Sequence, residues 1–200
     1  MNRSLAVAVA VLCAPAFAHA AERVVQVRSA EDPASPPDAA FCDAAPFAVN
    51  VRLGASLYTY EIDRHDGQVK QDEGRKIGTA TACARLTNFL FPLQLQQEFI
   101  VRFDLPEGSF TAVGSCAFAS NDVPLRGFVL AGCALRMTSF PAGVLGGAAA
   151  SLSSFNPFRL AGFSTGSYWT LQYYDSTPEQ GHHGDSERAM EFVDEDGGTD

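Results

Sequence analysis

The chain has 200 residues, of which 46% are hydrophobic, and a formal net charge of −9. That acidic balance, with only 14 basic side chains, excludes an electrostatic binder of nucleic acid. No apolar run approaches the ~20 residues that a membrane-crossing helix requires.

The first segment, MNRSLAVAVAVLCAPAFAHA, has a basic start at Arg3, an apolar run from Leu5 to Leu12 and small residues at Ala18 and Ala20. It reads as a secretory signal peptide over residues 1–20, with cleavage near Ala20 and export to the periplasm or the medium. Cys13 follows the large Leu12, which argues against lipid attachment. Cleavage removes Arg3, so 14 basic side chains become 13 against 23 acidic ones, a formal charge of −10. Residues 21–40, with Pro33, Pro36 and Pro37 among Ala, Ser and Asp, read as an extended arm before the domain. At the other end, residues 175–200 carry nine acids and one arginine with few large apolar side chains, and read as a disordered tail. His182 and His183 lie in that tail beside Asp185 and read as solvated rather than metal-binding.

Residues 41–174 are left as one domain. Helical periodicity is absent there, and short runs alternate between turn residues. Val51, Leu53, Ala55 and Leu57 share one face of the first run. Asp66-Gly67 signals a hairpin. The return run KIGTATACARLT puts Thr79, Thr81, Cys83, Arg85 and Thr87 opposite Ala80, Ala82, Ala84 and Leu86. EFIVRFDL alternates Phe99, Val101, Phe103 and Leu105 against Ile100, Arg102 and Asp104, and PEG turns the chain into SFTAVGSCAF. After the turn at SNDVP comes LRGFVLAGCALRMTS, and a breaker-rich stretch leads to the aromatic run STGSYWTLQYY. Strands joined by turns, with no helices to cover a parallel sheet, predict an antiparallel barrel, with a β-sandwich as the alternative. In a closed barrel the aromatic run, as the last strand, pairs with one early in the chain.

Four cysteines remain after cleavage, an even number in an oxidising compartment, and none form a C-x-x-C pair. Cys116 and Cys133 lie at similar distances from the turn near Pro124, so adjacent strands would bring them together. That leaves Cys42 to tie the N-terminal part of the chain to Cys83.

The layout, with its acidic-Gly hairpin, ACARLT strand, IVRFDLPEGSFTAVGS strand pair, Gly-rich segment and closing aromatic strand, resembles the allene oxide cyclase barrel-like and dirigent-like superfamily over Val49 to Tyr174. The resemblance implies an eight-stranded antiparallel barrel with an apolar or mixed cavity, sometimes used to steer cyclisation of a bound hydrophobic molecule. Where such proteins commonly carry a Gly-rich turn with a basic end, this chain reads AGVLGGAAASLSSF and lacks the basic end. The family's catalytic acids and arginines find no position-by-position match, so no activity is carried over.

Chemistry-bearing candidates are few. His65, the only histidine of the domain, sits in the DRHDG turn and reads as solvated. Ser164 in GFSTG superficially imitates a nucleophile elbow but is followed by a β-type run where the elbow needs a helix. GVLGGAA lacks the lysine of a phosphate loop. Arg85, Glu98, Arg102 and Asp104 would form a polar site if they faced a lumen, but their alternation reads as an outer face. Phe155, Phe158, Tyr168, Trp169 and Tyr173 are the candidate pocket lining, because aromatic walls with polar tips suit concave sites. No metal or cofactor is called for. The reading is a secreted, disulfide-stabilised barrel that binds a small hydrophobic molecule or serves as a scaffold. A cofactor-free cyclase-like enzyme and an extracellular interaction module are the alternatives. A cavity discriminates among them: a filled interior removes binding and cyclisation, while an open lumen carrying those four charged residues favours an enzyme.

Overall fold

A computed structural model describes residues 20–62, 69–70, 74–162 and 165–176. Residues 1–19, which hold most of the expected signal peptide, together with His65, Ser164 and the tail with His182, His183 and Asp185, lie outside the described residues. In chain order the elements are β1 (Ala21–Glu31), α1 (Ala39–Asp43), β2 (Val51–Tyr58), β3 (Glu61–Ile62), β4 (Val69–Lys70), β5 (Lys76–Arg85), β6 (Gln96–Leu105), β7 (Gly108–Ser120), β8 (Val129–Ser139), β9 (Val144–Phe155) and β10 (Gly166–Asp175). β3 and β4 form a separate two-stranded antiparallel sheet, Asp66-Gly67 between them lying outside the described residues, and the other eight strands close an antiparallel barrel in the order β1-β10-β9-β8-β7-β6-β5-β2.

Alternation decides which side of each strand faces in. On β6, Val101, Phe103 and Leu105 are buried in the main core, while Glu98 is exposed. On β10, Trp169, Leu171 and Tyr173 are buried inward. The last strand does pair with an early one, but that strand is β1: Val27 lies opposite Trp169 and Val25 opposite Leu171. The arm read over residues 21–40 is corrected accordingly. VVQVRS has strand length and alternates Val25 and Val27 against Gln26 and Arg28, a signal hidden by the prolines that follow it; it fills the seam between β10 and β2, and a barrel without it would have two bare edges. The domain therefore starts at Ala21.

Only the second part of that segment behaves as a strap. Residues 32–50 cross the outer face of β2, β5 and β6. The crossing is close enough that a Cβ on Gly54 would lie 1.9 Å from the Ser35 carbonyl oxygen, so β2 must be bare at that position. Asp38 caps α1 by accepting from the Phe41 N–H at 3.1 Å, and its other carboxylate oxygen accepts from Arg102 Nη1 at 3.0 Å. Arg102 also holds Asp104 through Nε at 3.1 Å and stacks over the Phe41 ring. Beneath α1, Cys42, Cys83 and Ile100 form a second small core outside the barrel, joined by Phe41, Phe47, Val49 and Val113. The outer face of β5 and β6 is thus partly covered, where alternation alone suggested a solvated surface.

Both disulfides form as expected. Cys42 bonds Cys83 across 5.6 Å between Cα atoms, and Cys116 bonds Cys133, its direct cross-strand partner, across 4.0 Å.

The strap's carboxylates make it acid-sensitive. The Ser56 hydroxyl, at 2.6 Å, leads the groups that hold Asp32 below the ordinary aspartate range, followed by the Ala34 N–H. Asp38 is lowered by the Phe41 N–H first and Arg102 second. A lowered folded-state value means that the stabilisation is present above the ordinary aspartate pKa and is lost as pH falls through the folded value. Amide exchange in residues 32–38 should accelerate below about pH 4 while β7 and β8 stay protected. In an Asp32→Asn/Asp38→Asn variant that acid response should vanish, and an unchanged response would assign it to other carboxylates.

Candidate functional site

The barrel is packed at one end and hollow at the other. At the packed end, Phe110 and Tyr173 rings meet at 5.1 Å beside Leu105 and Met137. Burial there pushes the Tyr173 phenol above its usual pKa. At the hollow end the inward positions of β5 are Ala80, Ala82 and Ala84, with Ala55 on β2 and Ala131 on β8. Side chains that stop at Cβ cannot meet across a barrel of this size. They leave a cavity of about 120 Å³, bounded also by Leu53, Phe99, Val101, Phe118, Phe155 and the Cys116–Cys133 bridge.

Trp169 forms the floor. Its ring packs edge-on against Phe103 at 5.0 Å and stacks near Phe99 at 6.2 Å, and its Nε1–H donates to Ser29 Oγ at 3.3 Å. The β9-β10-β1 side of the lumen carries hydroxyls that bond one another. Ser167 Oγ donates to Ser153 Oγ at 2.8 Å, Ser153 and Ser151 hydroxyls lie 2.9 Å apart, and Ser29 Oγ donates to the Ser167 carbonyl at 3.4 Å. Glu31 is the only ionisable side chain among the described residues of the lining, and it is exposed at the rim.

Three loops surround the mouth. Residues 86–95, 121–128 and 156–162 lie between strands at this end and expose Phe89, Leu90, Leu93, Val123, Leu125 and Phe158. The first two are fastened to each other by Asn121 Nδ2, which donates to the Phe91 carbonyl at 3.0 Å, and the Gln94 N–H ties the first to β7 by donating to the Phe118 carbonyl at 2.9 Å. Phe91 is buried among them, edge-on to Phe118 at 5.2 Å and to Phe155 at 5.8 Å. An apolar rim thus leads into an apolar lumen.

The structure divides the five aromatic candidates. Phe155 and Trp169 line the cavity. Phe158 does not; it is 64% exposed on the β9-β10 loop, packed over Gly127. Tyr168 points out of the barrel, edge-on to Tyr60 at 5.4 Å, in an outer groove of about 230 Å³ with Arg28, Leu130 and Leu152. Tyr173 shares the inward face of Trp169 but sits at the packed end. The four charged candidates are not lumenal. Arg85 and Glu98 form an exposed ion pair at 3.0 Å, and Arg102 and Asp104 anchor the strap. Among the described residues no group of three or more His, Cys, Asp or Glu is placed to hold a metal ion.

Sequence reasoning missed the alanine face of β5 as the source of the cavity, although the alternation ATACA displays it. It also missed Gln97, which faces the lumen from the start of β6 and is 2% exposed. Compared with models of known protein families and with curated proteins, the chain matches none.

Proposed function

We propose that this protein is an extracytoplasmic carrier or receptor that binds a small, apolar molecule in the hollow end of its barrel. The observation that carries this reading is the apolar lumen of about 120 Å³ opening through an apolar rim. An engineered apolar cavity of about 150 Å³ holds a benzene molecule, so the lumen suits a single ring or the end of a chain. Two disulfides and an N-terminal segment of signal-peptide type support an oxidising compartment outside the cytoplasm. The closed eight-stranded barrel also fits kinship with the allene oxide cyclase barrel-like superfamily, which is part of the proposal. Binding is favoured over catalysis because Arg85, Glu98, Arg102 and Asp104 sit outside the barrel, and among the described lining residues the one ionisable side chain, Glu31, is solvated at the rim with no cation or second acid beside it in the lining.

Trp169 is the chain's only tryptophan and floors the cavity, so it reports occupancy directly. Titration of the protein with toluene should give a saturable change in indole emission. A linear response equal to that of free tryptophan would refute the binding reading.

A further inference from the structure

Gln97 carries an unmet hydrogen-bonding demand at the cavity wall. Its Oε1 accepts from the Thr87 N–H at 2.8 Å and lies 3.4 Å from the Thr87 hydroxyl. The backbone N–H can only donate, so it fixes which end of the amide faces Thr87, and the NH₂ group is turned the other way. That nitrogen is buried and has no acceptor among the described residues. The neighbouring inward groups are Phe99 on the same strand and the Cys116–Cys133 bridge opposite, neither of which offers a strong acceptor. The lumenal serines, in contrast, already satisfy one another.

A buried donor without an acceptor destabilises the state that contains it, and a ligand that supplies the acceptor recovers that free energy on binding. The sign of the missing group can be read from the lining. The Gln97 NH₂ carries two N–H donors and no acceptor, so it asks for at least one acceptor oxygen. Among the described residues the lining has no lysine, arginine or histidine to match an anion, and Glu31 at the rim repels one. Resting on the proposed binding role of the lumen, we propose that its ligands are neutral carbonyl compounds, with a small apolar ring or chain whose oxygen accepts from Gln97 Nε2.

The test uses two probes of nearly equal shape, cyclohexanone and methylenecyclohexane, titrated by NMR into the wild type and a Gln97→Met variant. Comparing the ratio of their affinities between the two proteins cancels the difference in their hydration. The ketone should bind Gln97→Met about 10-fold more weakly than it binds the wild type. The hydrocarbon should change by less than about 2-fold, a margin well inside one hydrogen bond. Equal changes for both probes, or none for the ketone, would overturn the carbonyl assignment while leaving the lumen as a binding site. Failure of both probes to bind the wild type would instead overturn the binding reading itself. Should Gln97→Met fail to fold, the wild type still decides: the Gln97 side-chain NH₂ resonances should move with cyclohexanone and not with methylenecyclohexane, and equal responses would refute the proposal.

Discussion

Replacing Ala82 by phenylalanine is expected to abolish ligand binding while leaving the barrel as stable as before or slightly more so. Ala82 is the middle alanine of β5, paired with Leu53 on β2 and Val101 on β6, and its Cβ projects into the cavity. A ring placed there occupies the space a ligand would use. In most cores such an enlargement is destabilising, by about 1–3 kcal/mol, because close-packed neighbours must move. Here the neighbouring inward residues Ala80 and Ala84 leave room, and filling a void commonly adds about 0.5–2 kcal/mol. The opposite directions of the two effects make the experiment diagnostic. A thermal melt and a toluene titration followed at Trp169 measure both. A variant that retained wild-type affinity would place the ligand elsewhere, the outer groove of Arg28, Leu130, Leu152 and Tyr168 being the next site to probe. A variant that lost stability heavily would mean that the cavity is not available space. Leu152→Ser, on the outer face and 75% exposed, should leave the affinity unchanged.

The division between packed and hollow ends was only partly legible in the sequence. Strict alternation on EFIVRFDL assigned inward and outward faces, and the structure has Val101 and Phe103 inside and the Arg85–Glu98 pair outside; on the closing strand Tyr168, named with Trp169 as pocket lining, alternates with it and faces out. Face assignment is local, because the pleat fixes it within a few residues. Depth along the barrel axis is not local. Trp169 and Tyr173 are four residues apart on one face, yet one floors the cavity and the other closes the packed end. What separates them is the size of side chains on facing strands: Phe110 and Met137 at one level, Ala82, Ala84 and Ala131 at the other. That comparison needs the register of strands distant in sequence, which alternation does not contain. The strap was hidden for a related reason. Thr81 and Arg102 look like ordinary solvated positions, and nothing nearby in sequence says that Asp38, which accepts from Arg102 at 3.0 Å and whose N–H donates to Thr81 Oγ1 at 3.1 Å, will cover them. Cysteine parity and spacing were more informative, since a covalent bond reports a long-range contact directly.

Removing the Cys42–Cys83 bridge should cost more stability than removing Cys116–Cys133. The bridges close sequence separations of 41 and 17 residues. The chain-entropy account assigns about 4 kcal/mol to the first loop and about 3 to the second. The native contacts push in the same direction. Cys116 and Cys133 join strands already paired along their length, whereas Cys42 fastens a strap whose ion pairs, among them Asp38 to Arg102 and Asp43 to Arg52, are partly exposed and of small net worth. Substituting alanine for each pair of buried half-cystines avoids leaving new polar groups in either core. Urea titrations of Cys42→Ala/Cys83→Ala and Cys116→Ala/Cys133→Ala would rank the two, and an equal or reversed order would refute the loop-length account. The site responds differently from the fold. The strap lies outside the wall formed by β2 and β5, so toluene affinity in Cys42→Ala/Cys83→Ala, measured well below the denaturation midpoint, should stay within about 2-fold of wild type, less than one hydrogen bond's worth. A large loss of affinity would mean that the strap holds the alanine face of β5 in position, and that the outer core around Ile100 is part of the binding machinery.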